Sequence, residues 1–180
     1  MQKNLYLLVC LLLCFCAIGS AQPSNSVRAN LQATYTKQIG VRELTGKNDG
    51  VQVEAFLKYV WLAKGNPWCA AFVSWCFKQN GYAKPRSGGC VQLQEQGTII
   101  YLNGKVRVLP QTGDVFFIWF ANKGRVAHTG FIDKWSDTWV TTVEGNTNEA
   151  GSREGDGVYR KKRLKRQIYS AVDYSNGKVN

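Results

Sequence analysis

The sequence predicts an α+β domain in which helices come first and an antiparallel β-sheet follows. Two observations carry this. Between residues 27 and 80, apolar residues recur at the three-and-four spacing of a helix face. Beyond residue 105 the pattern changes to short alternating runs separated by turn formers, as strands require. Helices segregated from strands in this way argue against alternating β-α-β units and their parallel sheet.

The chain of 180 residues opens with "MQKNLYLLVCLLLCFCAIGSA". One lysine, an uncharged run from Leu5 to Ile18 and the small residues Gly19, Ser20 and Ala21 read as a secretory signal peptide cleaved after Ala21. The run is short for a membrane span and no basic stop-transfer cluster follows it. A lipid anchor wants a small residue before its cysteine, whereas Cys10, Cys14 and Cys16 follow Val9, Leu13 and Phe15. The mature protein is therefore expected to be secreted or periplasmic, without a membrane span. The formal net charge of +11 is strongly basic and points to anionic polymers as partners. What remains after cleavage is enough for one domain with a real core.

A lead-in and helix are expected over residues 22–40, with Val27, Leu31, Tyr35 and Gln38 at helical spacing. Glycines and turn formers make residues 40–50 a loop. In "VQVEAFLKYVWL", Val53, Phe56, Leu57 and Val60 form the apolar stripe of a second helix. A third is expected from Pro67 to about Asn80, with Asn66 as N-cap and Gly81 as stop. Only Ser74 and Lys78 interrupt its apolar surface, so it should be central and buried. Residues 83–105 read as loop. Strands are then expected in "VRVL", "DVFFIWF", "HTGFIDKW", "TWVTTVEG" and "GVYRKKR". Alternation in the third, with the residues just ahead of it, places Val126, His128 and Gly130 on one face and Ala127 and Phe131 near the other.

Three cysteines follow the leader: Cys69, Cys76 and Cys90. An odd number in an oxidising compartment leaves at least one free thiol. Cys69 and Cys76 lie on one helix about 10 Å apart, beyond disulfide reach. A Cys76–Cys90 bridge or three free thiols remain open. Cys69 falls in the first turn of the third helix, where the dipole and unpaired N–H groups stabilise a thiolate. A cysteine nucleophile needs a base, and the chain has one histidine, His128. A single histidine excludes HExxH zinc chemistry, and GxSxG is missing as well. Glu144, on the next strand, can orient the imidazole across a hairpin, with Asn146 two residues further on.

The stretches "NPWCAAFVSWC", "QTGDVFFIW", "HTGFI" and "VEGNTN" resemble the CHAP domain, a papain-like family of bacterial and phage peptidoglycan hydrolases. The resemblance runs from about Val41 to Arg163. It implies a papain-like arrangement, with the nucleophile-bearing helix packed on an antiparallel β-sheet in a catalytic domain over residues 41–170, and a C-terminal tail over residues 171–180. It implies Cys69 as nucleophile, His128 as base, Glu144 as orienter and Asn146 as auxiliary. The activity implied is cleavage of peptidoglycan amides, either between muramic acid and L-alanine or within the stem or cross-bridge. Trp68, Lys161 and Lys162 are the expected substrate contacts. Some relatives bind calcium ahead of the cysteine, but "TGKNDG" offers only Asp49, so no metal or cofactor is expected. Expected partners are peptidoglycan and anionic wall polymers, without nucleic acid, for a chain acting as a monomer. The rivals are a catalytically silent wall-binding module and a cysteine protease acting on proteins. The basic run "YRKKRLKR" reads either as a protected edge strand or as a wall-holding patch.

Overall fold

The structure is a computed structural model that describes residues 23–149 and 155–175. The signal-peptide segment and residues 176–180 of the expected tail lie outside the described residues. Helices α1 (Pro23–Lys37), α2 (Val51–Tyr59), α3 (Cys69–Gln79) and the short α4 (Cys90–Gln94) precede seven strands. These are β1 (Thr98–Leu102), β2 (Lys105–Val106), β3 (Val115–Phe120), β4 (Arg125–Trp135), β5 (Trp139–Thr147), β6 (Gly157–Leu164) and β7 (Ser170–Asp173). They form one sheet in the order β2-β1-β7-β3-β4-β5-β6, with every pairing antiparallel. The α+β class is as expected, with the third helix against the sheet.

The sheet is covered on one face by the helices. Phe72, Val73, Cys76 and Phe77 of α3, with Val53, Phe56 and Leu57 of α2, meet Val115, Phe117, Phe131, Val143 and Val172 of the sheet. All of these are buried, which is why α3 carries almost no polar residue. Ser74, its polar exception, is buried and donates to the Ser87 carbonyl at 2.9 Å. Helix α1 joins the same core: the Tyr35 ring stacks on Phe131 with centroids 4.5 Å apart. The other sheet face holds a smaller cluster of Ile100, Tyr101, Phe116, Ile132, Val140, Ile168 and Ala171.

Several boundaries differ from expectation. Helix α3 begins at Cys69 with Trp68 at its N-cap, two residues after the proline. Asn66 does not cap it; its side-chain amide donates to the Ala63 carbonyl. The stretch read as loop holds α4 and β1, and "VRVL" pairs only at Val106. Residues 171–173, assigned to the tail, belong to β7, which sits between β1 and β3. Its short buried "SAVD" has no alternation to announce it, because both faces are covered. A register shift beside Ala127 breaks the expected facing in β4: Val126 joins Phe131 in the helix-side core, while His128 faces Phe116.

Candidate active site

Three elements deliver the reactive groups. Cys69 is the first residue of α3, so its backbone N–H has no acceptor within the helix. The Trp68 indole, fully buried, fixes the entry to this helix by donating to Glu43 Oε1 at 2.8 Å. The other Glu43 oxygen accepts from the Asn48 amide at 2.9 Å, tying the glycine-bounded loop to the helix start. Trp68 is therefore a core anchor and not a substrate contact; an indole with no exposed surface has nothing to offer a ligand.

His128 and Glu144 come from neighbouring strands. His128 Nε2 lies 2.7 Å from Glu144 Oε2, which leaves Nδ1 as the ring nitrogen for the thiol of Cys69, a residue that lines the same cleft as the imidazole. Gly130 makes this approach possible, since a Cβ there would stand 2.7 Å from the Val143 carbonyl and 3.1 Å from Glu144 Cγ. Glu144 is wholly buried and held from three sides. Thr142 Oγ1 and the Arg163 Nε donate to Oε1, while Arg163 Nη2 and His128 meet Oε2. Arg163, two strands from His128, is the member that the sequence reading missed. Its only signal was a place in a basic run, where arginine reads as surface.

The electrostatics follow from these bonds. Burial works against a charged imidazole, yet the negative charge of Cys69 and the bonded carboxylate of Glu144 outweigh it and hold His128 up at about 9. Burial works against the Glu144 carboxylate too, and His128 and Arg163 overcome it, holding the group down at about 2. The Cys69 thiol is pushed well below its ordinary value, first by a hydrogen bond from Cys90 and then, against burial, by His128. Both shifts favour the thiolate–imidazolium pair over the neutral one. Cys76, buried among apolar neighbours, is pushed the other way. All three cysteines are free thiols, one of the two arrangements the sequence left open.

Cys69 and His128 open into a cleft of about 220 Å³, which Pro67, Phe120, Asn146 and Gly155 also line. It adjoins a larger cavity of about 520 Å³ that shares His128 and Asn146 and is walled by Trp119, Tyr169, Lys161, Arg163 and Arg166. Asn146, in the left-handed region at φ 52°, thus lies at the junction of the two, while the bond to the imidazole is made by Glu144. Lys161 faces this cavity. Lys162 does not, as the next residue on β6 points to the opposite face, where its ammonium lies over the Trp139 ring. Among the described residues no cluster of His, Cys, Asp or Glu could hold a metal ion, and no helix is long and apolar enough to cross a membrane.

Comparison with known proteins is consistent with the motif reading. The CHAP domain family matches residues 61–146, a span that contains Cys69, His128, Glu144 and Asn146. No curated protein matches the chain. Among solved structures it is similar to an NlpC/P60 family protein from Bacillus cereus, at 16% identity and a TM-score of 0.47 over 82% of this chain and 40% of that one. It is also similar to the peptidoglycan hydrolase RipB from Mycobacterium tuberculosis, at 13% and 0.49 over 83% and 65%. A third is PlyC, at 21% and 0.47 over 82% and 35%. The chain spans less than two thirds of the length of each.

Proposed function

With a CHAP domain matched over residues 61–146, we propose that this protein is an exported cysteine hydrolase that cleaves amide bonds of peptidoglycan, as an N-acetylmuramoyl-L-alanine amidase or a stem or cross-bridge endopeptidase. The observation that carries the reading is the imidazole held by a buried carboxylate, with Nε2 and Oε2 at 2.7 Å, in the cleft that Cys69 also lines. In this mechanism the Cys69 thiolate attacks the amide carbonyl, and the tetrahedral oxyanion forms beside the free N–H of Cys69 at the start of α3. Imidazolium His128 gives its Nδ1 proton to the departing amine, leaving a thioester on Cys69. Water then attacks the thioester with His128 as base, which restores the ion pair. Glu144 keeps the ring oriented and balances its charge throughout. Arg163 and Thr142 hold Glu144.

The larger cavity suits an anionic, partly apolar peptide strand. It offers the Lys161 and Arg166 cations beside Trp119 and Tyr169, whose rings lie 5.1 Å apart, and none of its described lining residues is acidic. The test is mass spectrometry of the fragments released from purified peptidoglycan. The wild-type chain should release fragments with one new amine and one new carboxylate at a single bond type, and Cys69→Ala should release none while melting normally. Turnover above a few per cent in Cys69→Ala would refute the nucleophile assignment.

A further inference from the structure

Cys90 exchanges no bond or proton in the hydrolytic steps, yet it is not an ordinary core cysteine. Its Sγ lies 3.7 Å from Cys69 Sγ, and both residues are buried. The residue opens α4, directly after Ser87-Gly88-Gly89. Cys76, also buried, has no such partner in the thiol contacts and is isolated by its apolar surroundings. The chain thus places a second buried thiol beside the nucleophile, and of the two only Cys69 lines the substrate cleft.

We propose that Cys69 and Cys90 form an oxidisable dithiol site, in which a small hydroperoxide entering the cleft converts the nucleophile reversibly to a Cys69–Cys90 disulfide. The chemistry balances in two steps. The Cys69 thiolate attacks one oxygen of hydrogen peroxide; the S–O bond forms and the O–O bond breaks. The departing hydroxide takes the imidazolium proton of His128 and leaves as water, with Cys69 as sulfenic acid. The sulfur of Cys90 then attacks that of Cys69. The S–S bond forms, the S–O bond breaks, and the hydroxide leaves as a second water with the thiol proton of Cys90. Two thiols are oxidised by two electrons in total and one peroxide is reduced to two waters. The order is set by position: Cys69 is both the thiolate and the group that meets the cleft, so it reacts first and Cys90 resolves.

The sulfurs must close from 3.7 Å to about 2.05 Å. Helix α4 has only five residues, so the closure displaces a short element. The disulfide would remove the nucleophile without exposing it to further oxidation, so reduction by a small thiol would restore the active form. What is switched off rests on the hydrolase reading; the disulfide itself does not.

The experiment treats the purified chain with a small excess of hydrogen peroxide and follows intact mass, a peptide map and activity on purified peptidoglycan. The expected result is loss of two hydrogens, a Cys69–Cys90 cross-linked peptide, activity reduced at least tenfold, and recovery on adding dithiothreitol. Cys90→Ser, compared with its own untreated activity, should instead gain oxygen atoms on Cys69 and recover poorly, because nothing intercepts the sulfenic acid. A wild-type map with oxygen added to Cys69 and no cross-link would overturn the proposal, as would no reaction of Cys69 at all. If Cys90→Ser fails to fold, the wild-type map decides alone. A cross-link in a protein that never cuts peptidoglycan would leave the dithiol standing and refute the hydrolase reading instead.

Discussion

Glu144 is charged in a place where a lone carboxylate would be neutral, and the residues around it explain both its state and its use. Arg163 supplies the fixed positive charge that lets the carboxylate persist without water, and His128 takes the remaining lone pair. Removing one partner of a buried pair leaves the other uncompensated. Arg163→Met should therefore cost about 3 kcal/mol of stability, read from urea unfolding. Glu144→Gln keeps the shape and removes the charge; turnover should fall by roughly one to three powers of ten with KM little changed. Because the folded value of His128 is raised to about 9, its favourable contribution is complete below its ordinary value and is lost as pH rises through about 9. Glu144 behaves oppositely, its contribution present above the ordinary carboxylate range and lost only as pH falls towards about 2. Turnover should accordingly hold through neutral pH and decline on an alkaline limb near 9, and a profile that still climbs beyond pH 10 would contradict an imidazolium donor. Cys90→Ala removes the largest stabiliser of the thiolate, so alkylation of Cys69 should slow at pH 6 and regain its rate only at higher pH.

Among the elements, the contact of α3 with β5 decides whether thiol and imidazole meet. Gly145 follows Glu144 and faces the helix, where a Cβ would stand 2.7 Å from the Trp68 ring and 2.8 Å from Phe72 Cβ. Neither neighbour can move, since both are fully buried in the aromatic group around Phe56. Gly145→Ala should push α3 away from the sheet, at a cost of about 1–3 kcal/mol. Activity should fall much further than stability, because a displacement near 1 Å at the nucleophile is costly to catalysis. Equal losses in turnover and in KM with an unchanged melting curve would show that the close approach does not position Cys69. The shift beside Ala127 is the strand counterpart of this glycine: it turns His128 away from the helix-side core while Val126 and Phe131 stay in it.

At the scale of the molecule, the net charge of +11 is partly used within the fold. Arg163 pairs with Glu144, Arg28 bridges Asp114 and Asp173, and Arg160 reaches Asp133. Strand β6, which lies at the end of the sheet order, keeps Lys162 over the Trp139 ring at 4.8 Å, and Lys165, just past its end, lies over the Trp135 ring at 5.1 Å. If this edge holds an anionic wall, Lys162→Gln with Lys165→Gln should weaken pelleting with peptidoglycan at 0.1 M salt and leave hydrolysis of a soluble muropeptide intact. High salt should abolish the difference, as the screening length falls from about 10 Å to about 3 Å between 0.1 and 1 M. Pelleting that is the same for both proteins at every salt concentration would leave the lysines only the role of guarding the edge.

The sequence by itself determined the α+β class, the buried character of α3 and the identity of the thiol, the single imidazole and the carboxylate that meet. These were legible because each is local: a period, a helix start, one histidine in the whole chain. Strand β7, the α4 and β1 segments and the true start of α3 were not, since their burial comes from partners far along the chain and leaves no alternation or cap to read. Only the tertiary structure decided that Trp68 is an anchor, that Lys161 and Lys162 face opposite sides, and that Arg163 holds Glu144. It also decided that Cys90 stands beside Cys69. A side chain's chemistry is written in its residue type, but what it faces is set by strand parity, register shifts and the packing of helix on sheet, and those are properties of the assembled fold.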